Sequence, residues 1–193
     1  MAWLIRISNR LLILEQFAAM VLAGALLLLI LLNIVTRAAN AAIFWVDELA
    51  IYAMIWMALF GASAMIRLRL GVAVSLLTDQ LAPRVRNAVA RLVDLILFGL
   101  AATLLVLSWQ WFDPLALVAN GFDFDRFAQA TFKFIYSEPT NTIGIQKFWI
   151  WLAVPLMSIN MSIHALANLI EGPPAESAGD GDGASGRRGE FVA

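Results

Sequence analysis

The sequence predicts an all-α integral membrane protein: four transmembrane helices, an amphipathic helix on the cytoplasmic surface, and an interfacial helix in an outer loop. Three observations carry this. Hydrophobic residues make up 62% of the 193-residue chain, and its mean hydropathy is +0.82. Charged residues are only 14%, against about 25% in a soluble domain. Four apolar runs also approach or exceed the roughly 20 residues that a helix needs to cross a bilayer.

The first run, Leu11 to Val35 (LLILEQFAAMVLAGALLLLILLNIV), is longer than the apolar part of a secretory signal. No clean small-x-small site precedes Arg37, so a retained helix is expected. The second run covers about Leu49 to Ile66, the third Val89 to Trp111 and the fourth Phe148 to Ile170. Together, residues 1–171 read as one transmembrane domain.

Basic residues orient these spans. Arg6 and Arg10 precede the first, and Arg67, Arg69, Arg84, Arg86 and Arg91 lie between the second and third. Arg37, Arg126, Lys133 and Lys147 fall on the other side, spread over a longer stretch. Both termini and the middle loop are therefore expected in the cytoplasm. The tail from 172 to 193, rich in Gly, Pro and Asp, cannot bury a core and is expected to be disordered.

Two connections have content of their own. In the middle loop, Leu70, Val74, Leu77 and Leu81 follow helical spacing, with Ser75, Asp79 and Gln80 off that stripe. This reads as an amphipathic helix at the inner surface, ending before Pro83. The outer loop, Phe112 to Gln146, is dense in aromatics, and Phe124, Phe127, Thr131 and Phe134 could share one helical face. Such a face fits either an anchor at the lipid interface or a docking surface for an external partner.

Composition also excludes function classes. Acids and bases nearly cancel (13 Lys+Arg, 14 Asp+Glu), so nothing points to nucleic acid. Without cysteine there are no disulfides, thiolate catalysis or thiolate metal sites. The single histidine, His164, has no neighbouring nucleophile and no acid in its own span, which gives no support for a catalytic triad or a metal cluster. Asn160, His164 and Asn168 form an i, i+4, i+8 stripe of the kind that hydrogen-bonds between helices. Asp94 follows Arg91 by three residues, a pair that can form within one helix. No enzyme chemistry and no cofactor are expected.

Arg37, Asp47 and Glu48 are charges in costly surroundings. A short connection between the first two helices brings them to one interface, a cation at a helix C-terminus and anions at an N-terminus. Trp45 fits the interfacial belt. Either the three are separate caps, or Arg37 and Glu48 pair across the hairpin or with a large subunit.

These residues also form a familiar order. Asn33 and Arg37 close the first helix, and Trp45, Glu48, Trp56 and Gly61 follow. Gly144, Ile145, Phe148, Trp149 and Pro155 then lead into the fourth span. The pattern, over about Leu11 to Ile170, resembles the small membrane subunit (DctQ type) of tripartite ATP-independent periplasmic (TRAP) transporters. The resemblance at Arg37 and at Trp45 to Glu48 favours an Arg37–Glu48 pair over separate caps. Gly71 stands where that family often has a histidine, and the outer loop is longer than expected. The resemblance implies a scaffold subunit of a sodium-coupled importer of organic acids or similar solutes in a bacterial inner membrane. Its implied partners are a large elevator-type permease subunit, which would hold the sodium and substrate, a periplasmic solute-binding protein, and membrane lipids. Two alternatives remain: an integral anchoring subunit of a redox complex, and a small stand-alone exporter. The exporter should hold a mid-membrane carboxylate, whereas Glu15 lies near a span end.

Overall fold

A computed structural model describes residues 1–70 and 82–172. Apart from Leu70 and Gly172, the expected surface helix and tail fall outside these residues. Among the described residues every regular element is a helix, and one isolated antiparallel bridge joins Pro139 to Gln146.

The elements are α1 (Ala2–Ala38), α2 (Phe44–Leu68), α3 (Pro83–Phe112), α4 (Pro114–Ala119), α5 (Phe124–Thr131), α6 (Phe148–Trp151) and α7 (Ala153–Glu171). Four segments are long and apolar enough to cross a membrane: α1, α2, α3 with α4, and α6 with α7.

Helix α1 starts well before the expected Leu11. Its 37 residues rise about 55 Å at 1.5 Å each, against about 30 Å of bilayer hydrocarbon. An apolar run marks only the stretch that lipid can surround, and polar residues such as Ser8 and Asn9 extend the helix beyond it. Asn40 in the left-handed region (φ 55°) turns the chain, and α2 runs back beside α1. Arg69, also left-handed, ends α2. Pro83 opens α3 at a position where its missing N–H costs nothing. Between α6 and α7, Pro155 cannot donate to the Trp151 carbonyl, which coincides with the break at Leu152.

The four long segments pack as two antiparallel hairpins, α1 with α2 and α3 with α7, and α7 also touches α2 and α1. Helix α7 is the hub. In the most apolar stretch of α6 with α7, 44% of residues are buried within the chain, against none in the corresponding stretch of α1. Ala153, Ala165 and Ala167 on α7 are buried small residues that let helices approach closely. Met157 and Met161 join Ala101 of α3 in a core, with Leu59, Phe60 and Ile66 of α2 packed against it.

The outer loop differs from the single aromatic face expected for it. It holds two short helices, capped by Asp113 and Asp123, around a second core of Phe112, Leu117, Phe127, Ile135 and Tyr136. Tyr136 stacks on Phe124, meets Phe127 and Phe148 edge-on, and donates its hydroxyl to Phe112 O at 2.7 Å. Burial pushes its phenol above the ordinary value, and Asp113 adds to this. Phe127 is fully buried, Phe124 is half-buried, and Phe134 lies outside α5 and exposed. The three do not form one outward surface, because the loop turns two of the rings inward to build its own core.

Candidate functional site

Three polar clusters tie the helices together. The first lies where α1 hands over to α2. Asn33 and Arg37, one turn apart, face Asp47 in the first turn of α2. Arg37 Nη2 meets Asp47 Oδ2 at 2.6 Å, Arg37 Nε donates to Asn33 Oδ1 at 2.6 Å, and Asn33 Nδ2 donates to Asp47 Oδ1. The Arg37 and Asp47 side chains are 59% and 44% exposed, so the pair contributes at most about 1 kcal/mol. Trp45 is exposed beside it, and Trp56, deeper in α2, packs against Phe60.

The expected Arg37–Glu48 pair does not form. One helical residue is a rotation of about 100°, which carries Glu48 away from α1 and towards the outer loop. Glu48 Oε2 accepts the Thr142 amide and hydroxyl, each at 2.6 Å, and the Ile143 amide at 3.3 Å. Glu48 Oε1 accepts the Asn141 amide at 2.8 Å and the Tyr52 hydroxyl at 2.5 Å. Gly144, at φ 82°, makes the turn that follows these amides. Glu48 therefore clamps the loop to α2.

The second cluster lies inside the bundle. The stripe on α7 faces a carboxyl that sequence reasoning set aside. Glu15 of α1 is 2% exposed; its Oε1 accepts Ser63 Oγ at 2.7 Å and Asn160 Nδ2 at 2.8 Å. Its Oε2 lies 3.1 Å from His164 Nε2, and Ser8 Oγ lies 2.7 Å from His164 Nδ1. His164 thus does have an acid partner, from α1 rather than from its own span. The available signal was that Ser8 and Glu15 are seven residues apart and share one face of α1. With every member buried, the cluster joins α1, α2 and α7 and offers no opening to a substrate.

The third cluster ties the opposite end of the bundle. Arg67 of α2 reaches Glu171 at 2.5 and 2.9 Å, Asn168 at 2.7 Å and Asn9 at 2.6 Å. Asn168 Nδ2 donates to Ile66 O at 2.7 Å. Arg69 bonds Asp94 Oδ2 at 2.9 Å and Asn168 O at 2.7 Å. Asp94 therefore pairs with α2, not with Arg91 one turn back, because its side chain is buried against the bundle. Nothing in the sequence pattern indicated these long-range partners. Among the described residues, no three His, Cys, Asp or Glu side chains gather to hold a metal ion.

Four membrane-capable segments joined by internal polar clasps describe many small membrane subunits, and the family comparison decides among them. The family model for the DctQ component of tripartite ATP-independent periplasmic transporters matches residues 26–173. The chain belongs to the DctQ family. No curated protein matches it. The match takes in the Asn33–Arg37–Asp47 cluster, the Glu48 clamp, and Asn160 and His164 on α7. Ser8 and Glu15, which complete the inner cluster, precede the matched range. As a DctQ-family chain, this protein is the small membrane component of a tripartite transporter.

Proposed function

We propose that the chain is the scaffold subunit of a sodium-coupled, binding-protein-dependent importer of organic acids or similar solutes. In this reading it holds the fixed part of a large elevator-type permease subunit in the bacterial inner membrane. Substrate and sodium bind to the large subunit, a periplasmic solute-binding protein delivers the solute, and both termini of this chain are cytoplasmic.

The observation that carries the reading is a contrast between inside and outside. Inside, Glu15 and Arg67 spend their hydrogen-bonding capacity on residues of the same chain. Outside, the apolar face of α1 from Ile13 to Val35 is left bare over many large side chains. That is the form of a rigid body with a broad face for lipid or for another subunit, not of a solute path. The charge pattern supports the orientation: Arg6, Arg10, Arg67, Arg69, Arg84, Arg86 and Arg91 flank the helix ends on one side, and Arg37, Arg126, Lys133 and Lys147 lie on the other. Residues 1–171 act as the scaffold and the remainder as a cytoplasmic tail.

Co-expression with a large permease subunit tests this. An affinity tag on the present chain should retain the large subunit through detergent extraction and size-exclusion chromatography. Independent elution of the two after mild extraction would remove the scaffold reading.

A further inference from the structure

Residues 132–134 are held against the end of α3 in an unusual way. Lys133 Nζ donates to Gln110 O and to Asp113 Oδ2, both at 2.7 Å. It thereby meets the negative end of the α3 dipole. The rings on either side of it are turned out, Phe132 82% exposed and Phe134 61%. Phe132 also adopts φ 57°, ψ 24°, the left-handed conformation at a helix C-terminus that glycine takes without strain. A large apolar ring thus stands on an exposed corner in spite of its backbone, and none of the described residues covers it.

What covers it is indicated by its height. The carbonyl that Lys133 grips belongs to Gln110, and the residues on either side of it, Trp109 and Trp111, are exposed on the last turns of a membrane-capable helix. Tryptophans at such a level mark the boundary between hydrocarbon and water. Phe132 and Phe134 continue that belt sideways. The charges of the neighbouring α5, Asp123, Asp125 and Arg126, are exposed on the same loop and are not part of it.

We propose that Phe132 and Phe134 insert into the lipid interface at the loop end of the bundle, with Lys133 fixing their depth by gripping α3. This partner is the bilayer itself. The inference rests on the four segments crossing a membrane and is independent of which solute, if any, the complex moves.

The chain contains no cysteine, so single labels can be placed without background. Phe132→Cys, Phe134→Cys, Asp125→Cys and Leu28→Cys variants of the full chain would carry a bimane fluorophore. Each would be reconstituted in phosphatidylcholine vesicles containing a lipid with a nitroxide at headgroup level or deep in its acyl chain. Labels at 132 and 134 should be quenched most by the headgroup nitroxide, Leu28 by the deep one, and Asp125 by neither. If Leu28 is quenched, showing insertion, while 132 and 134 behave like Asp125, the proposal fails. Equal quenching at 125, 132 and 134 also overturns it, since the two rings would not be what inserts. Labels at 132 and 134 that lipid does not quench, but that a purified solute-binding protein shields, would assign the surface to that protein instead.

Discussion

Replacing Glu15 with alanine probes the clasp that joins α1 to α2 and α7. The change removes one carboxyl and strands three buried groups, Ser63 Oγ, Asn160 Nδ2 and His164 Nε2. Interhelical hydrogen bonds within membranes average about 0.6 kcal/mol each, which puts a floor near 2 kcal/mol for three. A buried donor left without a partner costs about 1–3 kcal/mol, which puts the ceiling several kcal/mol higher. The expected loss is about 3 kcal/mol. Glu15→Gln keeps the volume and one carbonyl acceptor, and Ser63 can rotate its hydroxyl, so its cost should be about 1 kcal/mol. Unfolding in mixed detergent micelles, followed by circular dichroism, measures both. Because Glu15 and His164 are in direct contact, the Glu15→Ala, His164→Ala double variant should lose clearly less than the sum of the single losses. If Glu15→Ala stays within about 0.5 kcal/mol of the parent, as surface changes do, the buried cluster does not hold the helices together.

Other outcomes follow from the same geometry. Glu48→Ala should raise hydrogen exchange at the amides of Asn141, Thr142 and Ile143, whereas Arg37→Ala should leave those amides unchanged. Arg37→Ala and Glu48→Ala should be additive in unfolding, since the two side chains belong to different clusters, while Arg37→Ala and Asp47→Ala should couple. Phe127→Ala, which empties the centre of the loop core, should cost about 3–5 kcal/mol in unfolding measurements. Phe134→Ser should stay within about 0.5 kcal/mol in detergent, because its ring lies outside that core.

The sequence showed most clearly whatever depends on local periodicity. Four apolar runs located the spans because hydrocarbon imposes a minimum length on any helix that crosses it. Their ends were less visible: α1 continues to Ala2 through residues that are polar yet helical, and hydropathy does not register them. The stripe of Asn160, His164 and Asn168 was readable as helical spacing. Glu15 was not recognised as its partner, since nothing local says which face of α1 meets α7. Position along a span was also a poor guide, because a carboxyl near a span end can still be fully enclosed.

The opening cluster shows the same limit at finer scale. That Arg37, Asp47 and Glu48 meet one interface followed from a short hairpin. Which acid pairs with Arg37 turned on a single residue of helical phase. Apart from Tyr52, the partners of Glu48 lie more than ninety residues away, in a loop whose path no local pattern specifies. In the outer loop, composition indicated aromatic packing, but the same rings could have faced inward or outward. The fold settles this by burying Phe127 around Tyr136 and leaving Phe132 and Phe134 outside.

The most direct test of the scaffold role is sodium-driven uptake in proteoliposomes assembled with and without this chain. With the large subunit, the solute-binding protein and an inward sodium gradient, accumulation should require the present chain. The chain reconstituted alone should accumulate nothing, because its buried polar groups are committed to one another. Uptake by this chain alone, or full uptake by the other two components in its absence, would contradict the assignment.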